Sequence, residues 1–369
     1  MADNKPTLRW GVIATGQISS WFVRDLTLSR NDAKARHILK AIGSSSHQKG
    51  ELFVREHIPT DILPLPTIYG SYEEVYADPQ VDIIYVGTPH AFHKKNCLDA
   101  INAGKHVLCE KAFSITAEEA REIFDAARRK GVFVMEAMWT RFFPLVQLLQ
   151  KVIHKDAVVG QIHRVFCDLG LDMNIATLGQ ESRLKNPALG AGTLLDICIY
   201  SLTWGIITLE DHYNDDKKRE NPQPKVVAVQ SLLDSVDIAT SVLLLYSSGA
   251  QGIFTSTSMA KTSSIFCRIE GKAGYITVEG ESASRPSMFT VYRKVEGAPV
   301  DEWPGEAYSV HNPGCGLFWE ADAVAMDIAA GRTQNEIMPW AETLRVMEMM
   351  DEIRRQGGAS FPQDTSMPN

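Results

Sequence analysis

Three side chains in this chain can bind a hydroxyl and move its proton: the ammonium of Lys111, the carboxylate of Asp196 and the phenol of Tyr200. Asp196 and Tyr200 are four residues apart in the apolar run 193–209, so on a helix they share one face and can meet the same small molecule. A carboxylate in such company is costly to bury unless it is paired, which argues against an idle Asp. Lys111 follows His106-Val107-Leu108-Cys109-Glu110, a short apolar strand candidate. In an open α/β sheet the carboxyl end of a strand is where ligands sit.

The elements around Lys111 suit that placement. Thr116-Ala117-Glu118-Glu119 reads as a capping box, Ala120, Ile123, Phe124 and Ala127 continue one apolar face, and Gly131 stops the helix. Strand and helix patterns alternate over roughly the first 135 residues. The run Leu8-Arg9-Trp10-Gly11-Val12-Ile13 leads into Ala14-Thr15-Gly16-Gln17-Ile18-Ser19 and a helix holding Trp21, Phe22 and Leu26. Of the three glycines in a dinucleotide fingerprint only the central one, Gly16, is present, so this is either a phosphate turn or a structural loop. A second strand, 38–43, ends in Ser44-Ser45-Ser46-His47-Gln48-Lys49, with no acid to hold ribose hydroxyls. Hydroxyls and a Lys suit a 2′-phosphate, and an exposed Ser-rich turn has the same composition. A third strand, 81–86, delivers Thr88, Pro89, His90 and His93 to the same rim as Lys111.

The second half changes period. Alternating runs between 226 and 294, broken by Ser247-Ser248-Gly249 and Gly271-Lys272-Ala273-Gly274, predict an antiparallel meander. Residues 211–225, rich in charge and proline, read as a surface loop. With 369 residues the chain has room for two domains, and 44% hydrophobic with 22% charged residues is ordinary for a globular protein. A net charge of -8 argues against a nucleic-acid partner. The apolar run 193–209 is short for a membrane span and carries Asp196, so it reads as a buried helix with no membrane role. Six cysteines spaced at least twelve residues apart give neither a metal motif nor a disulfide framework. The first six residues lack a signal-peptide core, and a cytoplasmic location is expected.

Taken together, residues 11–18, Thr88-Pro89 with His93, Glu110-Lys111, and Asp196 with Tyr200 resemble the glucose-fructose oxidoreductase, inositol dehydrogenase and rhizopine-catabolism family. Three segments resemble its branch of dimeric dihydrodiol dehydrogenases and fungal NADP-dependent D-xylose 1-dehydrogenases. They are Met135-Glu136-Ala137-Met138-Trp139-Thr140-Arg141-Phe142-Phe143-Pro144, Asn186-Pro187-Ala188-Leu189-Gly190-Ala191-Gly192-Thr193-Leu194-Leu195-Asp196 and Phe318-Trp319-Glu320-Ala321-Asp322. The chain departs from the family's usual Glu-Lys-Pro at Ala112 and from its Asp-x-x-x-His at Tyr200.

The resemblance implies an α/β fold: an N-terminal Rossmann domain over 1–135, then an α+β domain over 136–369 with a large open, mainly antiparallel sheet. That second domain would bind substrate and form a homodimer, and a helix near 340–356 would pack back on the first. The implied cofactor is NADP, expected at Ala14, Thr15, Gly16, Gln17, Ile18, Ser44, Ser45, Lys49, Tyr72, Thr88, Pro89, His90, His93, Glu110 and Lys111. Trp139, Arg141, Phe142 and Arg183 are expected at substrate together with Asp196 and Tyr200, and no metal is expected. Tyr200 would accept the substrate's hydroxyl proton beside Lys111, since a neighbouring ammonium favours phenolate. Asp196 would orient a sugar hydroxyl or pair with Lys111. The implied reaction is oxidation of an aldopyranose, D-xylose first and D-glucose second, to its lactone. The alternatives are a trans-dihydrodiol dehydrogenase or dicarbonyl reductase, and a non-catalytic NADP-sensing regulator.

Overall fold

The computed structural model describes residues 5–210 and 223–366. It divides into one unit of Met1–Trp139 with Pro313–Met347 and a second of Thr140–Asn312 with Glu348–Asn369. The first unit thus reaches four residues beyond the expected boundary and also claims a late segment that the sequence pattern gave to the second. The 211–225 loop expectation falls almost wholly on 211–222, outside the described residues.

The first unit is a six-stranded parallel sheet in the order β3-β2-β1-β4-β5-β6. The strands are β1 (Thr7–Ile13), β2 (Arg36–Gly43), β3 (Thr67–Tyr69), β4 (Ile83–Val86), β5 (His106–Glu110) and β6 (Val134–Ala137). The helices between them are α1 (Gln17–Leu26), α2 (His47–His57), α3 (Tyr72–Ala77), α4 (His93–Asn102) and α5 (Ala117–Lys130). The strand order reverses between β1 and β4, which makes their carboxyl ends the crevice where such sheets bind ligands. All four residues of β4 are buried, as a central parallel strand requires. Phe22 of α1 stacks on Tyr85 of β4 with ring centroids 3.8 Å apart.

Helix α5 starts at Thr116, whose side chain accepts from Glu119 N at 3.2 Å, and ends at Gly131 in the left-handed region. The expected reciprocal bond differs: the Glu119 carboxylate takes Ile115 N rather than Thr116 N.

A further helix, α8 (Leu317–Ala329; α6, Pro144–Gln150, and α7, Ile199–Leu209, belong to the second unit), completes the first unit. Asp25 is 3% exposed, and its carboxylate accepts from the backbone N–H groups of Cys315, Gly316 and Leu317 at 2.9, 2.6 and 2.8 Å. One helix therefore supplies the anion that caps another. Arg30 and His37 both reach Asp322 of α8, and the Arg30 guanidinium lies 3.9 Å over the Phe318 ring.

The second unit is an eight-stranded sheet in the order β14-β13-β12-β11-β7-β10-β9-β8. Its strands are β7 (Ile162–Gly170), β8 (Lys225–Leu233), β9 (Val236–Leu245), β10 (Gln251–Thr257), β11 (Ile265–Gly271), β12 (Gly274–Ser282), β13 (Arg285–Arg293) and β14 (Gly305–Ser309). The predicted antiparallel meander is interrupted. β10 and β11 are not neighbours, because β7 lies between them, parallel to β10 and antiparallel to β11. The sheet is therefore mixed, though mostly antiparallel. Period-2 alternation reports the face a residue occupies and says nothing of which strand lies beside it.

Helices α6 (Pro144–Gln150) and α7 (Ile199–Leu209) belong to this unit, and α7 packs on β7 and β10. Gly205 lets α7 sit close, since a Cβ there would lie 2.2 Å from the Phe254 ring. The stretch 187–209 is apolar enough to cross a membrane by composition, yet 83% of its most apolar window is buried inside the protein. A last helix, α9 (Trp340–Gly357), contributes its first residues to the first unit, where Trp340 stacks on Phe124 and donates to Val134 O at 2.8 Å. Its end serves the second unit, where Gln356 accepts from Ala228 N at 2.8 Å.

Candidate active site

In the first unit the expected cofactor residues lie at or just after the carboxyl ends of β1, β2, β3, β4 and β5. Ala14 has φ 71°, a left-handed conformation that non-glycine residues rarely adopt, and its N–H donates to Gly43 O at 3.0 Å. Thr15 and Ser44 bring their hydroxyl oxygens to 3.4 Å of each other. Gly16 and Gln17 are exposed and Ile18 is half-buried at the start of α1, which has no side-chain cap. A Cβ on Gly16 would meet nothing within 4 Å, so the backbone there opens on free space. Ser19 is fully buried with its hydroxyl unpartnered, pressed against Gly87, where a Cβ would come within 2.3 Å of it. In sequence, Ser19 stands where the fingerprint has its last glycine, which gives no sign of this hydroxyl.

At the end of β2, Ser46 caps α2 by accepting from Lys49 N, while Lys49 Nζ lies 3.2 Å from the Ser45 hydroxyl. Ser45 and Lys49 are exposed. Tyr72 opens α3 and is half-buried, and burial raises its phenol above the usual range.

After β4, Pro89 begins a short turn that includes His90, and Thr88 accepts from Asn96 at 3.1 Å. His93, expected at the cofactor, turns inward at this rim. It is fully buried, with Nδ1 2.9 Å from Ala112 O and Nε2 2.8 Å from Thr88 O. Burial, with His90 beside it, pushes its pKa down to about 3, so the ring is neutral and its single N–H donates to one of these two carbonyls at a time.

Lys111 stands one residue beyond β5 and is half-buried, and the peptide bond it forms with Ala112 is cis. Its own N–H donates to Glu110, which also accepts from Tyr85. Glu136 accepts from Phe113 N at 3.1 Å. A further acid of this neighbourhood, Glu320 of α8, is fully buried with neither carboxyl oxygen hydrogen-bonded. Burial first, then Glu110, Asp25 and Glu136, raises its pKa well above the carboxylate range, so it is a neutral acid. Glu320 was visible in sequence only as part of a motif, and Tyr85 not at all.

In the second unit the buried helix expected within the apolar run 193–209 begins differently. Residues Leu194–Cys198 form a wide turn in which Ile199 N–H reaches back to Leu194 O, and regular α7 follows. A wide turn holds more residues per turn than an α-helix, which places Asp196 and Tyr200, four apart, more directly above one another. Tyr200 is 4% exposed. Asp196 is half-buried and pairs with Arg183 at 3.3 Å, so two expected substrate residues hold each other. Asp196 also lines a small cleft with Met173, Leu184, Thr193, Asp237 and Ser258.

Trp139, Arg141 and Phe142 share one short helical turn and are 1, 5 and 6% exposed. Arg141 O accepts from Gln147 at 2.7 Å. Among the described residues, no three His, Cys, Asp or Glu side chains are placed to hold a metal.

Residues 8–138 match the family described as an oxidoreductase family with an NAD-binding Rossmann fold. A D-xylose 1-dehydrogenase (NADP(+)) of Hypocrea jecorina is 35% identical over 98% of this chain and 95% of its own length. A trans-1,2-dihydrobenzene-1,2-diol dehydrogenase of Sus scrofa is 32% identical over 97% of this chain and 99% of its own. Among solved structures, a levoglucosan dehydrogenase in complex with NADH and levoglucosan matches with TM-score 0.79 at 19% identity, covering 95% of this chain and 97% of the other. An aldose-aldose oxidoreductase from Caulobacter crescentus matches with TM-score 0.75 at 22% identity, covering 95% and 98%.

Proposed function

Because the chain belongs to the glucose-fructose oxidoreductase, inositol dehydrogenase and rhizopine-catabolism family of oxidoreductases, we propose that it is an NADP-dependent dehydrogenase that oxidises an aldopyranose at C1 to the lactone, with D-xylose as leading substrate. The full-length likeness to the Hypocrea jecorina enzyme carries this reading. The residues at the strand ends fit the cofactor. The uncapped start of α1, the open backbone at Gly16 and the buried, unpartnered Ser19 hydroxyl suit a dinucleotide's phosphates. The hydroxyl of Ser45 and the ammonium of Lys49 suit a 2′-phosphate.

When bound, the nicotinamide supplies the hydride acceptor. Tyr200 takes the hydroxyl proton, Lys111 favours the phenolate that accepts it, and Asp196, steered by Arg183, orients a substrate hydroxyl. Trp139 and Phe142 supply apolar surface. The likeness to the Sus scrofa enzyme favours dihydrodiol oxidation as the second reading. A cytoplasmic enzyme is the corresponding location.

A panel of D-xylose, D-glucose, dihydrodiols and dicarbonyls with NADP or NAD, followed by absorbance of the reduced cofactor, tests this. D-Xylose with NADP is expected to turn over fastest. Activity with dihydrodiols alone would replace the substrate, and silence with every sugar and diol would favour the regulator. Ser45→Asp with Lys49→Ala is expected to weaken NADP binding by about 1–3 kcal/mol through lost charge-assisted contacts, and NAD binding less. Equal kcat/KM for the two cofactors in the parent would refute the NADP preference.

The outer face of the second unit's sheet supports a homodimer. The register sets Val227, Leu243, Ile253 and Phe166 side by side across β8, β9, β10 and β7, with Val229 67% and Leu245 39% exposed beside them. Such an apolar stripe on an open sheet is suited to a second copy. Light scattering at micromolar concentration is expected to give twice the mass of the chain, and a monomeric mass would exclude the dimer.

A further inference from the structure

Asp237 is a buried acid to which the proposed chemistry assigns no part. It lies on β9 and is 1% exposed. One carboxylate oxygen, Oδ2, accepts from the Thr193 hydroxyl at 2.5 Å, from Leu194 N at 2.7 Å and from the Thr240 hydroxyl at 2.8 Å. The other, Oδ1, has no hydrogen-bond partner and faces Gly192, where a Cβ would come within 2.2 Å of it. Gly192 has φ 123°, so the chain turns there in a conformation that glycine alone adopts readily. The glycine lets the backbone close over the carboxylate. Immediately afterwards the wide turn Leu194–Cys198 begins, with Asp196 N donating to Gly192 O at 3.2 Å.

The placement is that of a cap supplied from a strand. A helix start leaves N–H groups without partners and favours a negative charge beside it. Neither Thr193 nor any other residue at this start caps it with its own side chain. The acceptor comes instead from β9, the strand beside β10, on which α7 rests. The start of the turn fixes the azimuth of every residue after it, Asp196 two residues beyond Leu194 and Tyr200 six beyond. Asp237 also lines the small cleft that contains Asp196, so anchor and functional carboxylate border one space.

We propose that Asp237 is a positioning residue, whose three-donor grip on Thr193, Leu194 and Thr240 sets the wide turn and thereby the stance of Asp196 and Tyr200 toward substrate. The proposal rests on the reading that those two residues act on the substrate. Burial raises the Asp237 carboxyl above its ordinary range, and the bonds from Thr193, Thr240 and Leu194 N work against that rise.

Three variants test the role with the substrate that the panel identifies. Asp237→Ala removes the acceptor, and kcat is expected to fall about 10-fold or more, because small displacements of reacting groups cost that much. KM should rise less than kcat falls, and the Kd for NADPH should stay within about twofold of the parent, since the nucleotide-binding residues lie in the other unit. Asp237→Asn keeps a carbonyl oxygen for the same three donors and is expected to restore most of the turnover. A residue needed only for stability would lower the melting temperature and leave kcat per folded molecule unchanged. If Asp237→Ala does not fold, Thr193→Val decides: it deletes one donor at constant volume, and about a fivefold loss of kcat with unchanged cofactor affinity is expected. Normal kcat in folded Asp237→Ala, or in Thr193→Val where Asp237→Ala is unfolded, overturns the proposal, as does a parallel loss of NADPH affinity. Should Tyr200→Phe be silent in an active parent, the reading of the chemistry fails instead, whatever Asp237 does.

Discussion

Lys111→Met is expected to lower kcat by about 100-fold or more while NADPH still binds, since methionine keeps most of the stem and loses the charge that assists proton transfer. The loop should survive the change, because its anchors are elsewhere. The His93 ring lies 2.9 Å from the Ala112 carbonyl, and Glu110 accepts the backbone N–H of Lys111. Binding of NADPH by fluorescence and turnover in the same preparation separate the two effects. Turnover within about twofold of the parent would remove Lys111 from the mechanism. Tyr200→Phe should show the same pattern, with rate lost and cofactor affinity kept.

Glu320→Gln is expected to stabilise the protein, and increasingly so as pH rises. In the unfolded chain this carboxyl ionises at about 4.3, whereas in the fold burial and the acids Glu110, Asp25 and Glu136 keep it protonated to much higher pH. Between those two values the native state holds one proton more than the unfolded state. The stability associated with Glu320 is therefore complete below the unfolded value and declines by about 1.4 kcal/mol per pH unit above it, until the folded group itself ionises. Glutamine has the same shape and no proton to lose. Denaturant midpoints of parent and variant at pH 5, 6, 7 and 8 should diverge steadily. Parallel curves, or a parent more stable than the variant at pH 8, would show that Glu320 is ionised and paired in the fold.

What the sequence made legible was local. Lys111 at a strand end, the helix closing at Gly131 and the absence of an acid after Gly43 all follow from periodicity and turn chemistry over a few residues. What it hid was non-local. The insertion of β7 between β10 and β11 changes no alternation pattern, since each strand keeps one buried face whichever strand lies beside it. The sequence places His93 at a strand rim, whereas its burial between the carbonyls of Ala112 and Thr88 depends on a residue 19 positions away. The wide turn at 194–198 has the same apolar composition as an α-helix, so spacing alone placed Asp196 and Tyr200 on one face without showing how the turn starts. Asp237, 41 residues after Asp196, had no pattern to join it to that turn.

The hold of Asp25 on the amides of Cys315, Gly316 and Leu317 has a consequence for the order in which this protein can be made. A ribosome releases the whole parallel sheet of the first unit long before it releases the helix that α1 needs as a neighbour. Until then Asp25 has none of these donors, and the surface of α1 that meets α8 stays uncovered. The nascent nucleotide-binding unit must wait through synthesis of the entire eight-stranded sheet, with a loop closure of nearly 290 residues still to be made. A gene fragment ending at residue 139 would stop in that waiting state. The first unit is thus contiguous in space but interrupted in time, and its completion is tied to the second unit having already emerged.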